Sequence, residues 1–363
     1  MAKKYTPYLW FVLLAVVISS CSDDSAYSII EPDPVSPVVF DIENVPYQTL
    51  SGYNFFEGTI SDLEPVYGVL PYTLNSTLFT DYAKKKRFIW MPKGVKASYV
   101  NDYSALDFPT GTVLIKNFYY ENVIPNNTTK ILETRLMIKL EAGWDFANYV
   151  WNEEQTEAYY TNEGSVESFS WIEMNETKSV NYKIPRRAEC FTCHSKQNTP
   201  LPIGVKPQNL NRTYGFEEGS MNQLYKLIDQ GYLDNNLPAE ITSTVNWKDT
   251  SQPLELRVRS YLDINCAHCH SDQGYCNYTH IRFGFEHTDN IENLGVCVEN
   301  DFQLGGSDTH IVKPNDPNAS ALFMRLSSTE DEIKMPLIGR TLVHDKGIAL
   351  IEEWINSIQT TCN

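Results

Sequence analysis

One five-residue pattern, written twice, constrains this chain more than anything else in it. The copies are Cys190-Phe191-Thr192-Cys193-His194 and Cys266-Ala267-His268-Cys269-His270. C-x-x-C-H is the attachment pattern for c-type haem. Two thiols with two residues between them reach one porphyrin edge and add across its two vinyl groups, and the next residue points at the iron as proximal ligand. The pattern predicts two covalently attached haem c groups, each with its iron. Cys190, Cys193 and His194 would hold one, and Cys266, Cys269 and His270 the other. The competing reading is a zinc site built from all four cysteines. The two pairs stand too far apart in sequence for a zinc ribbon, and a histidine closes each copy.

Each haem iron needs a sixth ligand or an open position. After His270 the methionines are Met324 and Met335. Met335 precedes Pro336, which keeps its neighbour in an extended loop conformation, so Met335 is the expected distal ligand of the second haem. Met324 lies in a helical apolar pattern, Ala319–Leu326, and reads as core. His280, His287, His310 and His344 read as surface or hydrogen-bonded histidines, and His268 as exposed beside the haem edge. The first haem offers a poorer choice. Between His194 and Pro253 there is no histidine, and Met221 is the only methionine. Met221 is the candidate there, with Met174 upstream or an open iron as alternatives.

The N-terminus addresses the chain. Lys3 and Lys4 precede a short apolar run, Trp10 to Ile18, and then Ile18-Ser19-Ser20-Cys21. This is a signal-peptide pattern over residues 1–21. Its end resembles the lipobox of bacterial lipoproteins, which implies lipidation of Cys21. An uncleaved transmembrane anchor is the alternative, although the run is short for a span. The acidic Ser22-Asp23-Asp24 resembles a surface-export signal. The expected location is the bacterial cell envelope, lipid-anchored in the outer membrane and facing the periplasm or the cell surface. Disulfides persist in that oxidising setting, and haem c is attached there.

The eight cysteines then sort themselves. Cys21 takes lipid and four take haem, which leaves Cys276, Cys297 and Cys362. A Cys276–Cys297 disulfide is the expectation, with Cys362 pairing to either one as the alternative. The net charge of −17 makes nucleic acid an unsuitable partner.

The 363 residues suffice for several domains. Residues 22–45, rich in Ser, Asp and Pro, read as a flexible linker. Residues 46–180 read as a β-rich domain, with strands at 87–90, 112–120, 131–140 and 148–151. Along 131–140, Leu132, Thr134, Leu136, Ile138 and Leu140 alternate with Glu133, Arg135 and Lys139, the pattern of a half-buried antiparallel sheet. Trp90, Trp144, Tyr149 and Trp151 read as sheet core, with a glycan or apolar ligand site as the alternative. Residues 181–250 form the first haem-binding domain, with a helix from Met221 to Leu233 ended by Gly231. Residues 251–363 read as a cytochrome c domain. Its first helix, from Leu254 to Leu262, leads into Cys266, and its last carries Ile348, Ile351, Ile355 and Ile358 after Asp345. The fold class is α+β multidomain, an N-terminal antiparallel β-rich domain followed by mainly α-helical cytochrome c-type haem domains.

With both motifs placed, the chain resembles a family of bacterial di-haem cytochrome c proteins, many of them lipoproteins. The matching stretches are Pro71–Tyr82, Ile131–Leu140 with Val150–Gln155, Glu189–His194, Tyr261–His270 and Lys313–Ile351, the last including Pro317–Arg325 and Lys334–Arg340. The resemblance implies two covalent haems and electron transfer to an unidentified redox partner protein, with the membrane reached through the N-terminal lipid. A haem enzyme of peroxidase or oxidase type, with the first haem catalytic and the second a relay, is the alternative. A third reading makes the β-rich region a docking surface for a protein or glycan.

Overall fold

The structure is a computed structural model that describes residues 34–300, 302, 304 and 309–362. Cys21 and the signal sequence lie outside the described residues. Of the first 35 residues only Pro34 and Val35 are described, and both are exposed.

A large antiparallel sheet dominates the N-terminal half. Strands β1 (Phe56–Glu57) and β2 (Glu64–Pro65) form a small pair of their own. The main sheet comprises β3 (Leu70–Tyr72), β4 (Lys84–Trp90), β5 (Val113–Val123), β6 (Thr128–Leu140), β7 (Gly143–Trp151), β8 (Ala158–Thr161), β9 (Ser165–Glu173) and β10 (Glu176–Ile184). Its strands run in the order β10-β9-β5-β6-β7-β8, with β4 on β5 and β3 on β4. The four expected strands coincide with parts of β4, β5, β6 and β7, the second beginning one residue before β5. The β9–β10 hairpin escapes a search for apolar alternation because both strands are rich in Ser, Glu and Lys. Its turn is Met174-Asn175, with φ of 50° and 65°, the left-handed pair that two-residue hairpins require.

Both faces of the sheet's central strands are covered, which corrects the half-buried expectation there. On one face Phe88, Ile115, Leu136 and Ala147 pack under Leu50, Tyr53, Phe55 and Val66. Val38, Phe40 and Val45 join this layer, so the segment expected as flexible linker is packed from Ser36 onward. On the other face Ile89, Leu114, Met137 and Phe146 pack against Val205, Leu210, Leu224, Leu227 and Ile264 from the C-terminal half. The alternation read for 131–140 also breaks. An irregularity between Phe118 and Tyr119 sets Phe118 opposite Glu133 and Tyr119 opposite Ile131. Leu132 is the extra residue, and it packs with Phe118 and Tyr120 on the second face rather than with Leu136.

The C-terminal half is helical. Leu254–Cys266 packs against Asp345–Ser357 through Val258, Tyr261 and Leu262 on the first and Leu350, Ile351, Trp354 and Ile355 on the second. Shorter helices span Arg187–Cys193, Pro207–Leu210, Gln223–Asp229 and Ala321–Ser327. No helix among the described residues is long and apolar enough to cross a membrane. The disulfide joins Cys297 to Cys362, which corrects the Cys276–Cys297 expectation. Cys276 is buried, and a turn holds it against the second motif, its N–H donating to the Cys269 carbonyl at 3.0 Å. Cys297 instead meets the chain end beyond the last helix.

The segments expected as separate domains are one unit from Ser36 onward. The Pro71–Tyr82 stretch is its latch. Asp81 is buried and accepts from Thr341 N at 2.7 Å and Leu342 N at 2.8 Å. Phe79 N donates to Asn265 Oδ1 at 2.8 Å, and the Phe79 ring stacks on His344 with centroids 4.0 Å apart. Trp247 and Tyr261 complete the enclosure of His344, and the Tyr261 hydroxyl meets its Nδ1 at 3.0 Å. Burial, reinforced by Lys248, pulls the His344 imidazole down to about 3.

That enclosure carries a pH dependence. Unfolded His344 titrates near 6.5 while the folded side chain stays neutral to about 3. Its contribution is therefore fully present above the unfolded value and is lost as pH falls toward the folded one. Between pH 7 and 4.5 the wild type is expected to lose about 2–3 kcal/mol more than His344→Gln, read from urea midpoints at the two pH values. Equal losses in both proteins would refute the assignment.

Candidate functional site

The two motifs fold into the same local turn. The first closes the Arg187–Cys193 helix, whose start is fixed by Glu189 accepting from Arg186 N at 2.9 Å. The second closes Leu254–Cys266. In each, the histidine N–H donates to the carbonyl of the motif's first cysteine, at 2.9 Å for His194 and Cys190 and at 3.0 Å for His270 and Cys266. The histidine is thereby folded back beside the thiols rather than carried away along the chain.

Both imidazoles are oriented through Nδ1. His194 Nδ1 donates to the Leu201 carbonyl at 3.1 Å. His270 Nδ1 lies 3.2 Å from Thr279 Oγ1, whose own hydrogen goes to the Cys276 carbonyl, so the hydroxyl oxygen accepts. With Nδ1 carrying the proton, Nε2 keeps the free lone pair, the tautomer that ligates a metal. Burial holds both imidazoles neutral, drawing His194 down to about 3 and His270 to about 4.

The four motif cysteines are free thiols, although the chain forms a disulfide elsewhere. Burial pushes the Cys266 thiol up to about 12 and raises Cys190. Cys193 and Cys269 come from different motifs yet share a hydrogen bond, which lowers the first and raises the second. His268 joins them, and the three ligand atoms lie within 4.8 Å of one another. This corrects the reading of His268 as exposed. It is half-buried between the motifs, and its Nδ1 has no hydrogen-bond partner among the described residues. The four cysteines that a zinc site would need are not gathered at one point; Cys193 and Cys269 meet alone with His268.

Of the cavities that open on this junction, two each hold the cysteine pair and closing histidine of one motif. The first lies between the second face of the sheet and the first motif, and Cys190, Cys193, His194, Lys116, Arg135 and Met137 face it. The second is lined by Cys266, Cys269, His270, Cys276 and Met335. Solvent-open mouths included, they hold about 1330 Å³ and about 420 Å³. They share Cys193, Asn265, His268 and Pro336, so the two sites adjoin.

Met335 lies on the wall of the second cavity with His270. Its loop is pinned, with Met335 N donating to Arg325 O and Arg340 Nε donating to Met335 O, both at 3.0 Å. Met324 sits on the Ala321–Ser327 helix and does not line either cavity. Met221 is displaced from its expected role. It belongs to a hairpin strand, Gly219–Asn222, before a helix that begins at Gln223, and it is 40% exposed. Met174 occupies an exposed turn. Neither lines the first cavity; Met137 does, buried on β6. A search along the chain downstream of His194 could not find Met137, because only sheet pairing brings it there. Trp90, Tyr149 and Trp151 are core of the first face, and Trp144 packs on the second.

Each motif thus presents two unpaired thiols, an Nδ1-tethered neutral imidazole and a cavity in front of them, the donor set that covalent attachment of a porphyrin would use. No family model, curated protein or solved structure matches the chain.

Proposed function

We propose that this chain is a di-haem c-type cytochrome that transfers electrons in the bacterial cell envelope, anchored by lipid on Cys21. The observation that carries the reading is the repeated site, in which His194 and His270 are each tied at Nδ1 beside two free thiols on a cavity wall. Bound haem would supply the one-electron redox change. The chain's residues supply the rest. Cys190, Cys193, Cys266 and Cys269 anchor, His194 and His270 offer Nε2 to iron, and Met335 offers a thioether to the second site. Cys193, His268 and Cys269 meet where the two cavities adjoin, a closeness that suits electron transfer between the sites.

The larger first cavity favours a second reading, a haem enzyme whose first site binds a small substrate. One experiment separates these. The full chain, expressed with haem-attachment machinery, is expected to carry two covalent haems by mass and haem staining. Two low-spin ferric spectra support electron transfer, and a high-spin component that shifts with cyanide supports the enzyme. A chain that carries zinc and no haem would overturn both readings.

A further inference from the structure

The second face of the sheet carries a row of cations where an apolar surface would be expected. Register sets Arg87 opposite Lys116, Lys116 opposite Arg135 and Arg135 opposite Asn148, so four polar side chains from four strands share one line on one face. Lys85 lies two residues from Arg87 on the same face. The rings and charges crowd together: Lys116 Nζ is 4.8 Å and the Arg135 guanidinium 4.4 Å from the centre of the Phe118 ring. One carboxylate answers them. Glu133, fully buried, pairs with Arg135 and accepts from the Tyr182 hydroxyl at 2.7 Å. Arg87, Lys116 and Lys85 form no ion pair among the described residues, in a chain whose net charge is −17.

The row is also short of hydrogen bonds. Asn148 is 5% exposed and lines the first cavity, and neither Nδ2 nor Oδ1 has a partner. Arg87 is 6% exposed and its Nη2 has none. Buried charges and buried amides are costly unless partnered. Lys116, without an ion pair, and the orphaned Asn148 amide line the first cavity together with Arg135, and the unpaired Arg87 stands next to Lys116 in the row; they describe a site whose anionic occupant completes it. Burial and mutual repulsion, in that order, press the Lys116 amine well below its ordinary value, as expected of a cation waiting for its counter-charge.

We infer that Lys116, Arg135 and Asn148, with Arg87 beside Lys116 in the same row, form a carboxylate-binding site on the wall of the first cavity. Charged N–H donors bind carboxylates through charge-assisted hydrogen bonds, and the excess of cations over the one buried carboxylate suits two more. These could be the two acid groups of the first haem, in which case the inference rests on the proposed function, or those of a free dicarboxylate.

The test uses the haem-loaded full chain, wild type, Arg87→Gln and Lys116→Met. If the first haem's own carboxylates occupy the row, both substitutions lower the midpoint potential of that haem and leave the second unmoved, because a nearby cation favours the reduced form. If the occupant is a free dicarboxylate, succinate shifts the first haem's Soret band and raises the Tm, and both variants bind it at least about tenfold more weakly. Unmoved potentials together with no variant-sensitive succinate binding would overturn the site. Should no haem attach, the proposed function fails separately, and the succinate titration by Tm still decides the site. Lys116→Met adds a check if Arg87→Gln folds poorly. In the haem-free chain, loss of an unpaired buried cation should raise Tm, whereas loss of a merely structural contact would lower it.

Discussion

Replacing Cys266 and Cys269 together by serine is expected to leave a folded chain with one covalent haem where the wild type carries two. Both thiols line the second cavity beside His270, and Cys266 also packs at the margin of the helix-pair core, a small contact whose size serine nearly keeps. The same change at Cys190 and Cys193 should remove the other haem. Cys276→Ser is the informative control. Cys276 lines the same cavity as Cys266 and Cys269 but lies outside the motif, so both haems should persist. Intact mass under denaturing conditions reads the outcome directly. A doubly loaded Cys266→Ser/Cys269→Ser protein would refute the attachment assignment, and loss of haem from Cys276→Ser would redraw it.

The second large effect belongs to Met335. A thioether opposite histidine raises a haem potential. Met335→Ala should therefore lower the midpoint of the second haem by on the order of 0.1 V, within the roughly 0.8 V range that axial ligands command, and change its ferric spectrum. Met324→Ala should leave both unchanged, since its helix places that side chain off the cavity walls. The backbone of residue 335 is held by Arg325 and Arg340, so truncating the side chain should not release the loop. A redox titration that gives identical curves for wild type and Met335→Ala would remove Met335 from the site.

Much of the site was legible because its chemistry is local. C-x-x-C-H fixes the turn that folds histidine onto the first cysteine, and Met335-Pro336 announces a loop. The four longest apolar strand patterns also announced themselves. What stayed hidden depends on pairing between distant segments. Met137, Lys116, Arg135 and Asn148 reach the first cavity only through strand register. In sequence, Lys116 and Arg135 look like the solvent side of ordinary alternating strands. The partner of Cys297 was equally hidden, since loop length does not reveal that Cys276 is held against Cys269. The Met221 assignment failed for a related reason: helical spacing over 221–228 does not show where a hairpin ends and the helix begins.

The covering of both faces of the central strands has a consequence for how this chain can be dissected. A fragment ending at residue 180 would bare Leu114, Met137 and Phe146, and it would lose the buried groups that answer Asp81. Such a piece would aggregate rather than serve as a portable module. The helical half, cut free, would lose the wall against which its first motif stands. Neither part could therefore be exchanged alone by recombination. Change in this chain must come by substitution within a unit that is inherited whole.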